Sequence, residues 1–128
     1  MHRAVACVLA FVFATAAVAQ SAFPYDRDMV LDARPMRGSK RVPVLAIGAD
    51  GRAQIDLWCK RAQGQATISG DTITITVGTM NDELCMPERA QADEEMIAAL
   101  AGVTTWSMRG DIVTLNGTKP LRFRLASH

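Results

Sequence analysis

Alternation of apolar and polar residues with a period of two constrains the fold of this chain more than any other feature. The clearest run is 72–77, where isoleucine or valine alternates with three threonines. Near the end of the chain, 121–125 alternates leucine and phenylalanine with two arginines. This period is typical of a strand that buries one face and exposes the other. The sequence therefore predicts β structure.

Turn signals that contain glycine separate these runs, and a tight turn between two apolar runs predicts a hairpin. The signals are Asp50-Gly51, Ser69-Gly70-Asp71, Arg109-Gly110-Asp111 and Asn116-Gly117. The apolar runs are 29–33, 42–47, 53–59, 66–68, 72–77, 103–108, 112–115 and 121–125. About seven short strands are expected, with an order that stays open because hairpin signals define only local neighbours.

The period changes between Ala90 and Leu100, which predicts the single helix. Met96, Ile97 and Leu100 share one helical face, and Gly102 is placed to end the helix. One helix among many short strands predicts an α+β fold that is mainly β. We expect an antiparallel sheet curled into a small barrel-like core, with this helix packed on it.

The N-terminus has the three parts of a secretory signal in order. Met1-His2-Arg3 is followed by an apolar block, 4–14, and by the small triplet Ala17-Val18-Ala19. The 16 residues of 4–19 fall short of the about 20 that a membrane-spanning helix needs. We therefore expect cleavage after Ala19, removal of Cys7 with the signal, and a periplasmic or secreted protein whose mature form has no membrane span.

The mature chain, 20–128, is short enough to form one domain. Its first residues, Gln20–Arg27, are expected to be a flexible, unanchored leader. Without Arg3, 13 basic residues remain against 13 acidic ones. This balance does not favour nucleic acid as a partner.

Two cysteines, Cys59 and Cys85, remain in the mature chain, and an oxidising compartment favours a disulfide between them. The bond would close a loop of 27 residues, counted inclusively, and would stabilise the fold by roughly 3.5 kcal/mol. A catalytic thiol needs a base, and a zinc site needs three or four ligands. The one histidine of the mature chain is the terminal His128. We expect no catalytic residue, no metal and no cofactor.

Acidic residues are the remaining source of acid-base chemistry, since paired carboxylates can hydrolyse glycosides. Asp93, Glu94 and Glu95 are consecutive. We interpret them as the opening of the helix, where negative charge complements the helix dipole. An enzyme, such as a carboxylate-based hydrolase, therefore ranks last among the functional hypotheses.

Several short motifs occur in a fixed order along the chain: Cys59 with Gly64 five positions later, Thr79-Met80 before Cys85, the helix 94–100, the run 110–115 and Leu121-Arg122-Phe123. Together they resemble the META-domain family of HslJ-like exported bacterial proteins. The resemblance spans 29–125. Trp58 and Lys60 depart from it, since the family often has glycine and asparagine there. The resemblance implies an exported, compact, mainly β domain with a loose association with envelope stress and no established catalytic residues.

Trp58, Lys60 and Arg61 form the candidate partner-binding surface. Alternation places Trp58 and Lys60 on the strand face opposite Cys59, where an aromatic ring beside cations could anchor a partner. The favoured alternative is that the helix or the N-terminal strand covers Trp58. Arg109-Gly110-Asp111 spells an adhesion tripeptide but is better explained as a turn, and the basic loop 37–41 is better explained as solvated than as a contact for anionic polymer or lipid.

The sequence favours a non-enzymatic, disulfide-stapled binding or stress-protective module. Its expected partner is an envelope protein or envelope component, and the protein is expected to be a monomer. The alternative hypothesis is a small secreted inhibitor that places a rigid loop in the cleft of a lysozyme-type or protease-type hydrolase. A preorganised loop suits this task because it loses little conformational entropy on binding.

Overall fold

The computed structural model describes residues 4, 6–10 and 22–127. Most of the expected signal peptide, its cleavage site after Ala19 and the terminal His128 lie outside these residues. Over the part of the chain that is described, no helix combines the length and apolar character needed to span a membrane. The export of the protein stays a prediction.

Residues 22–127 form eight strands and one helix. The strands are β1 (Met29–Leu31), β2 (Val44–Ile47), β3 (Arg52–Asp56), β4 (Arg61–Ser69), β5 (Thr72–Met80), β6 (Val103–Arg109), β7 (Ile112–Gly117) and β8 (Leu121–Leu125), and helix α1 (Pro87–Ala101) lies between β5 and β6. Each strand pairs antiparallel with the next, and β8 pairs with β1, so the sheet closes into a barrel. The predicted mainly β fold with a barrel-like core and one helix is confirmed.

The period-two runs place their apolar residues inside the barrel, as predicted. In β5, Ile73 and Ile75 are buried while Thr72, Thr74 and Thr76 are exposed. In β8 the three apolar residues are buried and both arginines are exposed. The largest fully buried side chains are Phe123, Met29, Leu45, Ile47, Ile55, Leu57, Ile73, Leu100, Leu115 and Val113.

Helix α1 begins at Pro87, three residues before its predicted start. Proline suits the first helical position because its fixed φ matches the helix and it has no N–H to leave unpaired. The helix ends as predicted at Gly102, whose N–H donates to the carbonyl oxygens of Ala98 and Ala99 at 3.1 and 3.2 Å. Met96 and Leu100 join the core of the barrel.

The prediction of an unanchored leader over Gln20–Arg27 is wrong for its described residues, 22–27. Phe23 is 6% exposed, and its ring meets the ring of Trp106 edge to face at 5.1 Å between centroids. The N–H of Asp26 donates to the carbonyl oxygen of Ile47 at 2.8 Å. An aromatic side chain in this segment supplies enough apolar surface to hold the segment against the barrel.

Candidate functional site

A disulfide joins Cys59 to Cys85, as predicted, with 6.0 Å between the two Cα atoms. It connects the turn between β3 and β4, residues 57–60, to the segment between β5 and α1, residues 81–86. We call these segments the braced turn and the docking loop. The bond therefore fixes the end of the docking loop to the barrel.

The braced turn corrects the predicted length of β3. The alternation was expected to continue through Cys59, but β3 ends at Asp56. The N–H of Leu57 donates to the carbonyl oxygen of Lys60 at 2.8 Å, which closes a tight turn. Trp58 and Lys60 thus lie on a turn instead of sharing one strand face.

Asp93, which lies on helix α1, holds the braced turn in place. Its side chain is 2% exposed, and its carboxylate accepts the backbone N–H of Cys59 at 3.1 Å and that of Lys60 at 2.8 Å. Both donors belong to a turn, where no neighbouring strand is available to pair with them. A buried carboxylate with two backbone donors is satisfied by hydrogen bonds, so Asp93 serves the turn.

The interpretation of Asp93, Glu94 and Glu95 as the opening of the helix is wrong. Because α1 begins at Pro87, its acidic first-turn residue is Glu88. The sequence carried a signal for the actual role of Asp93. It precedes Met96 by three positions and Leu100 by seven, so it lies on the buried helical face, where an acidic side chain needs donors.

The docking loop is also fixed at its beginning. The N–H of Asn81 donates to the carbonyl oxygen of Arg61 at 3.1 Å, and the N–H of Arg61 donates to Oδ1 of Asn81 at 3.0 Å. The disulfide at Cys85 fixes the other end. Only three residues, 82–84, therefore lie between two points attached to β4 and to the braced turn.

Exposed apolar side chains concentrate on and beside this loop. Leu84 is 97% exposed, Met86 61% and Met80 40%. Over residues 22–127, the other large apolar side chain in this class is Tyr25, at 37%. Asp82 and Glu83 beside Leu84 are exposed as well. An apolar side chain held in solvent at a fixed position offers an anchor that a partner can bury.

An open groove of 610 Å³ borders the docking loop at Met80 and Asn81. Its other walls come from β3, β4 and β5 and carry mostly polar side chains: Gln54, Asp56, Arg61, Gln63 and Thr79. Arg61 lies 3.6 Å from Asp56 in an exposed ion pair. The groove thus adds hydrogen-bonding groups next to the apolar anchor.

Trp58, Lys60 and Arg61 do not line one common cavity. Trp58 is half-buried and lines a cavity of 280 Å³ whose other walls include Met96 of the helix. Arg61 lines the groove beside the docking loop. Lys60 lies between them without lining either cavity. The packing of Trp58 agrees with the interpretation that the helix covers it.

The missed site is the docking loop, since Leu84 and Met86 were not singled out in the sequence. A signal was present: two large apolar residues flank Cys85 in a segment without helical or strand periodicity. Such residues have no regular face to bury, so exposure follows. Their degree of exposure depends on tertiary packing, which the segment alone does not specify.

The sulfur atoms of Cys59 and Cys85 and the carboxylate of Asp93 lie within 4.8 Å of one another. This spacing would suit a metal ion. Thiolates are the ligands that cysteine offers to metals, however, and both sulfurs here are bonded to each other. In the oxidised protein this cluster is therefore a structural brace.

Two solved structures have a fold similar to that of this protein. Among solved structures, one determined by NMR is similar with a TM-score of 0.60 and 17% identity, over 77% of this chain and 88% of that chain. A crystal structure of a DUF4847 family protein from Bacteroides vulgatus is similar with a TM-score of 0.54 and 15% identity, over 64% of this chain and 57% of that chain. At these identities the likeness concerns the fold alone. No curated protein matches this chain.

A family model described as META domain matches residues 25–128. The match includes both cysteines of the disulfide, the docking loop and all eight strands. It agrees with the resemblance seen in the short sequence motifs. Because the model covers most of the chain, the protein belongs to the META domain family.

Proposed function

We propose that this META-domain protein is an exported, non-enzymatic module that binds a protein of the cell envelope through the docking loop. The observation that carries the proposal is the exposure of Leu84, at 97%, on a loop fixed at both ends. The disulfide supports export, because such bonds persist in oxidising compartments. The N-terminal signal pattern supports it independently.

The geometry suits binding because little order has to be created when a partner arrives. Only residues 82–84 lie between the two attachment points of the loop. A preorganised anchor gains affinity mainly by avoiding the entropy cost of ordering. Asp82 and Glu83 favour a partner whose apolar pocket has a basic rim. The resemblance to HslJ-like proteins supports a role for this binding in envelope stress.

Site-specific photo-crosslinking in the intact envelope tests this function. A crosslinking residue replaces Glu83 in the docking loop, and a matched control carries it at Thr67, an exposed position on β4. We expect a discrete envelope protein to be crosslinked from position 83 and not from 67. Introducing Leu84→Asp beside the crosslinker should abolish the product. Equal products from both positions, or a product that survives Leu84→Asp, would contradict the proposal.

A small secreted inhibitor of a lysozyme-type or protease-type hydrolase is the second candidate. The observation that favours it is the apolar Leu84 directly beside the disulfide at Cys85, since a rigid loop with one projecting side chain can occupy an active-site cleft. Purified protein should then reduce the activity of a hydrolase in a dose-dependent way, and Leu84→Asp should relieve the inhibition. Full activity across lysozymes and proteases would reject this candidate and leave the binding module intact.

A further inference from the structure

Three arginines, Arg109, Arg122 and Arg124, project from the outer side of the sheet formed by β6, β7 and β8, which we call the arginine face. All three are exposed. The register of the strands arranges this face in two rows. One row is Ser107, Thr114 and Arg122, and the other is Arg109, Ile112 and Arg124. Neither row contains an acidic residue on these three strands.

The rows bring the basic groups close together. Side chains directly opposite each other on antiparallel strands have Cβ atoms about 5 Å apart. Arg109 and Arg124 therefore flank Ile112 from both sides, and Arg122 stands beside Thr114 in the adjacent row. Arg109 and Arg124 are two strands apart, about 10 Å at the backbone, so an anion that lies between their long side chains would interact favourably with both charges.

Among the described residues, no carboxylate forms an ion pair with the arginines of this face. Over the described residues, the ion pairs are Arg52 with Asp50 and Arg61 with Asp56. Two acids border the face: Asp111 lies in the turn between β6 and β7, and the N–H of Asp32, just after β1, donates to the carbonyl oxygen of Arg122 at 2.9 Å. The carboxylates of both stay beyond 4.0 Å from any arginine nitrogen.

A depression of 380 Å³ on this face gathers the donors. It is lined by Arg109, Arg122, Ser107 and Thr114, together with Ile112 and with Met108, whose side chain packs against the core. No carboxylate is part of its lining. Asp32 lines a different depression, which it shares with Lys40 and Arg124. Arg109 and Arg122 thus border one depression together with two hydroxyl groups and without a carboxylate.

We propose that this depression binds a phosphate group through Arg109 and Arg122, with Ser107 and Thr114 as hydroxyl donors and Arg124 as an additional positive charge. Guanidinium groups match phosphate oxygens in a bidentate geometry. Two guanidinium groups and two hydroxyls supply more donors than the two oxygens of a carboxylate can accept, whereas a phosphate group offers at least three acceptor oxygens. The site lies on other strands than the docking loop and does not depend on the proposed function.

The phosphate group has two possible sources, an anionic lipid headgroup and free inorganic phosphate, and binding experiments with the exported protein separate them. One arm titrates inorganic phosphate and follows the backbone amide NMR signals of β6, β7 and β8. The other arm measures co-sedimentation with vesicles of phosphatidylcholine that contain phosphatidic acid, whose phosphomonoester headgroup has three terminal oxygens, against vesicles of phosphatidylcholine alone. Binding in the first arm identifies a site for the free anion, and binding in the second arm alone identifies a site for the lipid headgroup. Either result supports the proposal.

Two double variants and a matched control test whether the named residues carry the binding. Arg109→Gln with Arg122→Gln should weaken it by at least about tenfold, because charge-assisted hydrogen bonds are lost at both positions. Arg109→Lys with Arg122→Lys keeps the charge but loses the planar fork, and an intermediate loss is expected. The control, Arg34→Gln with Arg52→Gln, makes the same change in net charge at exposed arginines elsewhere and should stay within about twofold of the unmodified protein.

Three outcomes would overturn the proposal. The first is no binding of phosphate or of anionic vesicles by the unmodified protein. The second is an equal loss in the glutamine variant and in the control, which would mean that net charge alone drives binding. The third is a lysine variant that binds like the unmodified protein, which would mean that no guanidinium geometry is recognised. Circular dichroism of each variant establishes that the barrel is intact.

Discussion

The docking loop and the arginine face are held in place in different ways. The docking loop has a disulfide at one end, a pair of hydrogen bonds between Asn81 and Arg61 at the other, and a turn beneath it that Asp93 fixes. The arginine face is held by the backbone pairing of β6 with β7 and of β7 with β8. The difference teaches that irregular backbone, which lacks strand partners for its N–H groups, needs bonds from side chains to keep one conformation.

The two regions also differ in what they present. The docking loop exposes Leu84 between acidic residues and Met86, while the arginine face exposes cations with Ile112 between them. Their backing differs too. Trp106 packs edge to face on Phe23 behind β6, and its Nε1–H donates to the carbonyl oxygen of Gly70 at 2.8 Å. The face is therefore backed by core packing, and the loop by local bonds.

Removing the disulfide should lower the free energy of unfolding more than any other change to these two regions. Cys59→Ser combined with Cys85→Ser is expected to lower the free energy of unfolding by about 3.5 kcal/mol, because the open loop gains conformational entropy in the unfolded chain. Urea denaturation followed by tryptophan fluorescence measures the loss. Reducing the unmodified protein should reproduce it. A loss below about 1 kcal/mol would mean that the hydrogen bonds hold the loop without the disulfide.

Loss of the Asp93 carboxylate should have the next largest effect. Asp93→Ala leaves the N–H groups of Cys59 and Lys60 without their acceptor, and we expect the free energy of unfolding to fall by about 2–3 kcal/mol. Asp93→Asn should cost less because its amide oxygen still accepts a bond. Faster hydrogen exchange at both amides would locate the effect in the braced turn.

The neighbouring Glu94 supplies the control for this prediction. It is exposed on the same helix, so Glu94→Ala should change the free energy of unfolding by less than about 0.5 kcal/mol. A loss as large as that of Asp93→Ala would mean that the helix itself, through its charge or propensity, is the sensitive element. The hydrogen bonds of Asp93 would then not explain the stability of the braced turn.

Local patterns predicted most of the fold. Alternation in 72–77 and 121–125 placed the buried residues correctly because a strand fixes which face each side chain occupies. Closure of the barrel through pairing of β1 with β8 was not predictable, since Met29 and Leu125 meet across almost the whole domain. The leader was missed because one buried aromatic residue, Phe23, leaves no periodic signal.

The site was less predictable than the fold. The disulfide followed from two cysteines in a chain that is predicted to be exported, since an oxidising compartment favours their pairing. The partners of Asp93 could not be read from its neighbours because Cys59 lies 34 positions earlier and meets it only in the folded barrel. Exposure of Leu84 depends likewise on the two attachment points of the loop.

Truncating Trp106, which lies behind the arginine face, should lower the free energy of unfolding least of the three changes. Trp106→Phe keeps an aromatic ring against Phe23 but removes the donor to Gly70, a residue in an exposed turn. Water can replace the lost donor at that carbonyl, so we expect the free energy of unfolding to fall by about 1 kcal/mol. Urea denaturation followed by circular dichroism measures it.

The same variant also tests whether the two regions are independent. Because the docking loop is held by its own bonds to Arg61 and Cys59, hydrogen exchange in 81–86 should be unchanged by Trp106→Phe, while exchange at the turn around Gly70 should rise. Trp106→Leu serves as the contrasting variant, since it also removes the edge-to-face contact and should cost more. If Trp106→Phe accelerated exchange in the docking loop to the same extent as at Gly70, the loop would depend on the core behind β6. Local bonds would then be insufficient to fix it, because a change that leaves those bonds in place would have loosened it.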